Sequence, residues 1–373
     1  MTAQKLKDIE SCLRIVNQKK IKKIFILTGI NSLRSSGLDN KIIENIDKKK
    51  KIKIYFKKKT LPETGELLNI FNSFKIFSPD ILLAIGGGAV LDYAKIINIL
   101  KNDKNLISKI KKYNYRSNKK NSRLIAIPTT AGSGAEVTSN AVIYHKNIKY
   151  SFEDVMLVPN NYCLCPSALI DIPKNIKASS GFDAIAQAIE SILSTKSNSK
   201  SQNFAVSSLK ISNKAFLEYL KKPNIFNSSK MAKAANLSGH AINISKTTAP
   251  HACSYGFSAI HNLSHGHAVS LNFERFMHFN YKNMYIEKNK NNLSNKFIKI
   301  FRATNTKNIT EFLNYIKYLK RVGGLEDNYK KLNININKDV NKILSGVNPL
   351  RLKNNPVELN RESLKKIILQ EKI

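Results

Sequence analysis

Histidine is unevenly distributed along this chain of 373 residues. The chain has seven histidines, and four of them, His251, His261, His265 and His267, fall within APHACSYGFSAIHNLSHGHAV, residues 249–269. Imidazole is the commonest metal ligand among side chains and also serves as a general acid or base. The cluster is therefore either a site or a chance concentration on a helix surface, and taken alone it leaves both interpretations open.

A second kind of chemistry is indicated by a glycine-rich turn. Residues 80–95 read DILLAIGGGAVLDYAK, with Gly86, Gly87 and Gly88 between an apolar strand and a helix. Glycine lets a phosphate approach the backbone, and a helix N-terminus offers unpaired N–H donors. The spacing is neither that of a Walker loop nor G-x-G-x-x-G. It predicts a phosphate site or a plain tight turn, with Asp92 capping or anchoring the first helical turn.

A second turn strengthens the first interpretation. Residues 126–138, AIPTTAGSGAEVT, also follow a strand and carry hydroxyls on Thr129, Thr130 and Ser133. A plain surface loop can have this composition. Open α/β sheets, however, bind nucleotides at the carboxyl ends of their strands, so two such turns favour a nucleotide site.

GGGAVLDYAK and PTTAGSGAEVT resemble the two cofactor signatures of the iron-containing (group III) alcohol dehydrogenase family, and the resemblance extends to a closing segment, SGVNPLRLKNNPVELNRESL. It implies that both turns bind NAD(P)H. Ala89 stands where the family usually has Ser, and Gly29 where many members have an Asp that contacts the adenosine ribose, so the choice between NAD and NADP stays open. The implied cofactor-binding residues are Gly86, Gly87, Gly88, Asp92, Thr129, Thr130, Ser133 and Lys149.

The same resemblance supplies a carboxylate for the histidine cluster. Asp183 and Gln187 lie four residues apart in GFDAIAQAIES, on one face of a helix. The family has Asp and His at these positions and two later histidine ligands, to which His251 and His265 correspond. The implied metal ligands are Asp183, Gln187, His251 and His265, and the implied ion is Fe(II) or Zn(II).

Gln187 departs from the family, which has a histidine ligand at this position. An amide oxygen is a poorer ligand than imidazole for these ions. Either Gln187 coordinates weakly or through water beside three retained ligands, or the site has lost its metal and its activity; we expect the metal to be retained. His251 and His265 would lie about 21 Å apart on a continuous helix, at about 1.5 Å per residue. A continuous helix must therefore be interrupted between them, and Gly256 and the Ser264-His265-Gly266 turn are the two places that the sequence offers.

The resemblance implies that the metal polarises the carbonyl oxygen of an aldehyde while nicotinamide delivers hydride to the carbonyl carbon. The region around the histidines is similar to the subgroup that includes phosphonoacetaldehyde reductases, which make 2-hydroxyethylphosphonate. Ser245, Lys246, Thr247 and Thr248 offer one cation and three hydroxyls to an anionic substrate, or else form a solvated helix end. His267 either faces the substrate as a proton donor or forms a hydrogen bond in the core. Lys246 and His267 are the catalytic candidates.

Several other functions stay open. Another alcohol or an acidic sugar is the main alternative substrate within the family. A carbon–oxygen lyase of the dehydroquinate-synthase type would need further basic residues around the metal, and Lys246 alone supports it. A basic protein that has lost its activity is the remaining alternative.

The net charge of +36 raises the question of nucleic acid binding. Only nine of the 62 basic residues are Arg. Arginine supplies the planar fork preferred for bases and phosphates, whereas lysine is a solvated point charge. The lysines are spread along the chain among Asn and Ile, so we favour a broad compositional bias over an anionic substrate as the cause. We expect no nucleic-acid partner.

Two kinds of structure must position these residues. β-Branched apolar runs at 21–30, 51–56, 80–85 and 123–128, separated by segments with helical spacing, predict a doubly wound parallel sheet. From about residue 175, apolar residues recur at three- and four-residue steps, which predicts helices. We predict an α/β, Rossmann-like dinucleotide-binding domain over 1–174. An all-α metal and substrate domain follows over 175–373, in a dehydroquinate synthase-like architecture.

The sequence also bears on location and assembly. No apolar run approaches the roughly 20 residues that span a bilayer, and the charged N-terminal segment is unlike a signal peptide. The four cysteines have no metal-type pairing and do not indicate a disulfide scaffold. We expect a cytoplasmic protein with no membrane partner, and the resemblance implies a homodimer.

Overall fold

The computed structural model describes residues 2–34, 37–101, 108, 115, 117–146, 148–285, 290–347 and 349–371. The chain divides into two compact units. The first comprises Met1–Ile172 and Asn224–Ala232, and the second Pro173–Pro223 and Lys233–Ile373. The return of Asn224–Ala232 to the first unit is not evident from the sequence.

The first unit contains a six-stranded parallel sheet in the order β1-β8-β5-β4-β2-β3, and a separate antiparallel ribbon of β6 and β7. Strands β2 to β5 are the four predicted from apolar runs. The remaining strands are short or outside the main sheet. The strands are β1 (Gln4–Leu6), β2 (Lys23–Gly29), β3 (Lys51–Lys57), β4 (Ile81–Gly86), β5 (Arg123–Pro128), β6 (Asn140–His145), β7 (Ile148–Glu153) and β8 (Asn161–Cys163).

The central strands are continuously apolar because both faces of the sheet are covered. In β2, Phe25 and Leu27 join the core on one face, whereas Ile24 and Ile26 join the core on the other. This two-sided burial is typical of parallel sheets. The helices of this unit are α1 (Ile9–Val16), α2 (Ile30–Arg34), α3 (Thr64–Phe77) and α4 (Gly88–Ile99), with a π-helical turn at Asp39–Ile43 and 3-10 turns at Val155–Leu157 and Pro166–Leu169.

The second unit is helical. Its helices are α5 (Lys174–Leu193), α6 (Ser199–Lys221), α7 (Ile225–Ser245), α8 (Ala249–His261), α9 (His265–Ser270), α10 (Phe273–Lys282), α11 (Lys290–Thr304), α12 (Ile309–Gly323), α13 (Ile336–Ser345), α14 (Pro349–Leu352) and α15 (Arg361–Leu369). The first residues of α7 belong to the first unit. The predicted fold class, an α/β domain with a parallel sheet followed by a helical domain, is confirmed.

Helix α5 is the buried centre of the second unit. Every residue from Gly181 to Leu193 is buried, including the polar residues Asp183, Gln187 and Glu190. Buried polar groups require hydrogen-bond partners, so these three side chains mark the place to look for a site. Within the part of the chain that the structure describes, none of the helices combines the length and apolar character needed to cross a bilayer.

Candidate active site

Three ligand-type side chains converge in the second unit. Asp183 of α5, His251 of α8 and His265 of α9 each offer one ligand atom, and these atoms lie within 4.8 Å of one another. The Nε2 atoms of His251 and His265 lie 3.1 and 4.0 Å from Asp183 Oδ1. Ligand bonds to zinc are about 2.0–2.2 Å long, so small shifts would place all three around one ion. One carboxylate and two imidazoles are a donor set that fits Fe(II) or Zn(II).

The chain breaks between the two histidines, as the spacing requires, but not at Gly256. Helix α8 runs on to His261, and Asn262 then takes a left-handed conformation with φ 52°. Helix α9 begins at His265 after Ser264. Of the two places that the sequence offers, Gly256 is not the break. Gly256 lies inside α8, where a Cβ would come within 2.8 Å of Ile343 Cα, so glycine serves close helix packing there.

Glycine also brings His265 to Asp183. A Cβ on Gly266 would lie 2.0 Å from the carbonyl oxygen of Ser179 and 3.0 Å from Asp183 Cβ. The hydroxyls of Ser179 and Ser264 are 2.8 Å apart, which fixes the start of α9 against α5. The close crossing of α9 and α5 therefore places the third ligand candidate.

Glu190 is a site residue that the sequence analysis missed. Its Oε1 contacts His251 Nδ1, and its Oε2 accepts the backbone N–H and the hydroxyl of Thr248 at 2.7 and 2.9 Å. Metal-ligating histidines usually donate their second N–H to a carboxylate or carbonyl. The signal was available in the sequence, because Glu190 follows Asp183 by seven residues and Gln187 by three, on one helix face.

The charges of His251 and of the two neighbouring carboxylates stabilise one another. Burial disfavours the imidazolium, but the adjacent carboxylates of Glu190 and Asp183 outweigh burial and raise the pKa of His251 to about 9. Burial acts in the opposite direction on Asp183, yet hydrogen bonding by His251, with the charges of both histidines, leaves the pKa of Asp183 below its ordinary value. The electrostatics thus keep the Asp183 carboxylate ionised, the form in which it binds a cation.

Gln187 does not point its oxygen at the other candidates. Its Nε2 donates to Asp183 Oδ2 at 3.1 Å, and its Oε1 accepts the hydroxyl of Ser238 at 3.1 Å. The amide group therefore approaches Asp183 as a donor. The structure places Gln187 beside Asp183, as the sequence predicted.

The two glycine-rich turns of the first unit adjoin. Gly86 of β4 pairs with Pro128 of β5, and the N–H of Thr129 donates to the Gly86 carbonyl at 3.0 Å. Cβ atoms on Gly87 and Gly88 would lie 3.3 Å from the side chain of Thr130 and 2.9 Å from Ser133 Oγ. The glycines thus allow the two turns to pack together.

Helix α4 presents its first N–H groups at this edge of the sheet. Gly87 is the N-cap and, within the described residues, makes no side-chain capping bond. The first N–H groups of a helix have no intrahelical partner, and together with the helix dipole they form an anion site. The geometry therefore suits the diphosphate of a dinucleotide.

Asp92 and Lys95 connect α4 to the neighbouring elements. Asp92 Oδ2 accepts the N–H of Val142 at 3.0 Å. Lys95, 1% exposed, donates to the Ala135 carbonyl at 3.0 Å and to Thr138 Oγ1 at 2.9 Å. These bonds anchor the second turn and β6, so the structure gives Asp92 a protein partner in β6 and not a place in the first helical turn.

The pKa of Asp92 is influenced by Lys95 and by Lys149, the lysine predicted to contact the cofactor. Burial raises the pKa of Asp92, and the charges of Lys95 and Lys149 oppose this rise. Lys95 Nζ lies 3.8 Å from Asp92 Oδ1. Lys149 lies on β7, half-buried. Its predicted contact with the cofactor stays a prediction.

The hydroxyls that precede His251 are largely committed to the protein. Ser245 Oγ lies 2.7 Å from Ser191 Oγ, and the Thr248 hydroxyl donates to Glu190. Both side chains are fully buried. Their contact with an anionic substrate stays a prediction, and the structure shows only their protein partners. Lys246 follows α7 directly, in a left-handed conformation with φ 62°, and is half-buried.

The remaining histidines have protein neighbours. His267 Nε2 donates to the backbone carbonyl of Glu326 at 2.7 Å, and its role as a proton donor to the substrate stays a prediction. His261, the last residue of α8, lies with its Nε2 3.6 Å from Asp339 Oδ2. Burial lowers the pKa of His261. The ring of Tyr255 stacks on His265 with centroids 6.0 Å apart.

Two family descriptions match the sequence and together cover nearly all of it. "Iron-containing alcohol dehydrogenase" matches residues 3–166, and "Fe-containing alcohol dehydrogenase family, C-terminal" matches residues 177–371. The chain belongs to the iron-containing alcohol dehydrogenase family. The family is the one that the two turns and the histidine segment indicated.

Curated relatives and solved structures agree with this membership. The chain is 28% identical to the NAD-dependent methanol dehydrogenase of Bacillus methanolicus over 267 residues, which are 69% of this chain and 68% of that protein. It is 26% identical to aldehyde-alcohol dehydrogenase 2 of Entamoeba histolytica over 278 residues, 70% of this chain but 32% of the relative. The chain thus spans about a third of the length of the aldehyde-alcohol dehydrogenases that it matches.

The fold is shared with solved structures at low sequence identity. The sulfoacetaldehyde reductase of Bifidobacterium kashiwanohense in complex with NAD+ superposes with a TM-score of 0.87 at 23% identity, covering 99% of this chain and 96% of that chain. The alcohol dehydrogenase of Oenococcus oeni gives a TM-score of 0.87 at 20% identity, covering 100% of this chain and 99% of that chain.

Proposed function

We propose that this chain is a metal-dependent NAD(P)H oxidoreductase that reduces a small aldehyde to its alcohol. The observation that carries the proposal is the convergence of Asp183, His251 and His265 in a member of the iron-containing alcohol dehydrogenase family. The adjoining glycine-rich turns of the first unit support a dinucleotide as the hydride source.

Each residue of the metal group has a stated atom to offer. Asp183 would hold a divalent ion, Fe(II) or Zn(II), through Oδ1, and the two histidines through Nε2. Glu190 would hold a proton on Nδ1 of His251, so that Nε2 would be the nitrogen that gives up its proton and offers a lone pair to the ion. The bound ion supplies Lewis acidity toward a carbonyl oxygen.

The cofactor residues act through the backbone and through hydroxyls. Gly86, Gly87 and Gly88 leave the start of α4 open to the diphosphate, and Thr129, Thr130 and Ser133 offer hydroxyls from the second turn. Lys95 supports these contacts by fixing the second turn to α4, and Asp92 fixes β6 to the same helix.

The substrate that we favour is an anionic aldehyde, with phosphonoacetaldehyde as the leading candidate. Support comes from the similarity of the histidine segment to the phosphonoacetaldehyde reductase subgroup and from Lys246, five residues before His251. The name of the structurally similar sulfoacetaldehyde reductase also denotes an anionic aldehyde, on a shared fold. His267 would move a proton through Nδ1, since its Nε2 is held by Glu326.

The test is a reductase assay on the full chain loaded with Fe(II) or with Zn(II). NADH and NADPH oxidation would be followed with phosphonoacetaldehyde, succinic semialdehyde and lactaldehyde. The proposal expects phosphonoacetaldehyde to give the highest kcat/KM. A higher kcat/KM for lactaldehyde would overturn the proposal of an anionic substrate. Inactivity with every aldehyde under both metals would overturn the proposed oxidoreductase activity itself.

A further inference from the structure

Gln187 occupies the position on α5 where the family resemblance implies a histidine ligand. We propose that Gln187 is a positioning residue, which holds the Asp183 carboxylate for the ion and is not itself a ligand, so that the protein supplies three ligands. The inference rests on the proposed metal site. Its basis is the chain of two hydrogen bonds, Ser238 to Gln187 and Gln187 to Asp183, each 3.1 Å long.

The two oxygens of Asp183 have different neighbours. Oδ1 faces the imidazoles, 3.1 Å from His251 Nε2 and 4.0 Å from His265 Nε2. Oδ2 accepts the amide N–H of Gln187. A carboxylate whose second oxygen is held in this way presents one defined oxygen to an ion, as is usual for ligating carboxylates with hydrogen-bonded partners.

Burial makes the orientation of the amide consequential. Asp183, Gln187 and Ser238 are 4%, 3% and 0% exposed, so little water can replace a missing partner. A hydrogen bond to a charged group is stronger than one between neutral groups, and an unsatisfied buried charged group costs more than an unsatisfied neutral one. The donor orientation of Gln187 therefore stabilises the ionised carboxylate.

The opposite orientation has a specific defect. The Ser238 hydroxyl carries one hydrogen and has a second acceptor, the Ala235 carbonyl at 2.9 Å. Ser238 could therefore accept an N–H from a reversed Gln187. The reversed amide would set its oxygen against Asp183 Oδ2, where two acceptors repel. Only a cation between the Gln187 oxygen and Asp183 Oδ2 would relieve this repulsion. The imidazoles lie at Oδ1, so an ion bound by them is held at the other carboxylate oxygen.

Three protein ligands leave further positions around an ion. Catalytic zinc sites have three protein ligands and an open position, whereas structural sites are closed by four. A glutamine that holds the carboxylate thus leaves one more position around the ion than the four-ligand set that the family resemblance implies, and it still fixes the direction of the carboxylate. This accounts for a non-ligand residue at a position that the family fills with histidine.

Co(II) titration of the metal-free full chain tests the proposal without relying on activity. Visible absorption reports the coordination of Co(II), and competition with a chelator gives the dissociation constant. Gln187→Leu removes the amide and His265→Ala removes a proposed ligand. Gln202→Leu is the matched control. Gln202 lies on α6, and its side chain also forms a side-chain hydrogen bond, which it accepts from Lys299 Nζ. Circular dichroism would confirm that each variant is folded.

For Gln187→Leu we expect Co(II) binding weakened by about 10- to 100-fold, the usual effect of losing an outer partner, with band positions and intensities unchanged. His265→Ala should change the absorption bands, and Gln202→Leu should change neither the Co(II) affinity nor the bands. Gln187→His, which places the family residue at this position, should bind more tightly and change the bands by adding a ligand.

The outcomes separate this inference from the proposed function. Altered bands in Gln187→Leu, comparable to those of His265→Ala, would overturn the positioning role and leave the metal site intact. If Gln187→Leu did not fold, unchanged bands in Gln187→His would overturn the inference. Wild-type protein that binds no Co(II) would overturn both the inference and the metal site on which it rests.

Discussion

The carbonyl oxygen of Ser179 on α5 lies where a Cβ on Gly266 of α9 would come within 2.0 Å of it. This contact brings the backbones of two helices together beside Asp183 and sets His265 next to the carboxylate. The shape of the proposed metal site therefore depends on a glycine that contributes no ligand atom.

Gly266→Ala is expected to disturb the site and the fold together. The added methyl group must displace backbone, not a flexible side chain, and such overpacking costs about 1–3 kcal/mol. We expect a lower free energy of unfolding and at least about tenfold weaker Zn(II) binding, measured by denaturant titration and chelator competition. Gly65→Ala on α3 is the control, since a Cβ there meets nothing within 4 Å; equal effects of the two variants would contradict the packing argument.

Glu190→Gln should weaken metal binding although Glu190 is not proposed as a ligand. The carboxylate orients His251 and accepts two hydrogen bonds from Thr248. We expect the dissociation constant for Zn(II) to rise by about 10- to 100-fold, measured by competition with a chelator. Glu218→Gln, an exposed change on α6, should have no effect, and an unchanged constant in Glu190→Gln would exclude the orienting role.

Lys95→Met should affect the dinucleotide and not the metal. The substitution removes the donor to Ala135 and Thr138 and leaves Asp92, which is half-buried, without its nearest cation. Leaving a buried hydrogen-bonding group without its partner costs about 1–3 kcal/mol, so the second turn should loosen. We expect NADH to bind at least about tenfold more weakly in a fluorescence titration, with Zn(II) affinity unchanged. Lys75→Met, exposed on α3, is the control, and unchanged NADH binding in Lys95→Met would count against the anchoring role.

Lys246→Ala tests the anionic substrate. If the ammonium group contacts the phosphonate, its loss should raise KM for phosphonoacetaldehyde by about tenfold or more, and KM for neutral lactaldehyde much less. Lys233→Ala, an exposed change on α7, the helix that Lys246 directly follows, should alter neither value. Equal increases for the two aldehydes in Lys246→Ala would show that the lysine does not recognise charge.

Much of the fold could be predicted because burial leaves a direct pattern in the sequence. Strands β2, β4 and β5 are apolar on both faces, the edge strand β3 alternates, and the long helices repeat apolar residues at three- and four-residue steps. The strand order and the β6–β7 ribbon could not be predicted, because they depend on pairing between distant segments. The return of Asn224–Ala232 to the first unit has the same origin.

The site was only partly accessible from the sequence. Family spacing placed Asp183, His251 and His265, and the structure brings these three together. The break at Asn262 was missed because a left-handed asparagine has no strong local signature, whereas glycine at Gly256 suggested a break and instead serves packing. The direction of the Gln187 amide depends on Ser238, 51 residues away, which no local pattern reveals.

The most direct test of the account is the metal content of the purified chain after loading with Fe(II) or Zn(II) and removal of free ions. Elemental analysis of the wild-type protein should give about one ion per chain, as expected for a single mononuclear site. Asp183→Asn and His265→Ala should retain little of it. Wild-type protein without bound metal, or an Asp183→Asn variant that keeps as much metal as the wild type, would contradict the central claim that these residues form the metal site.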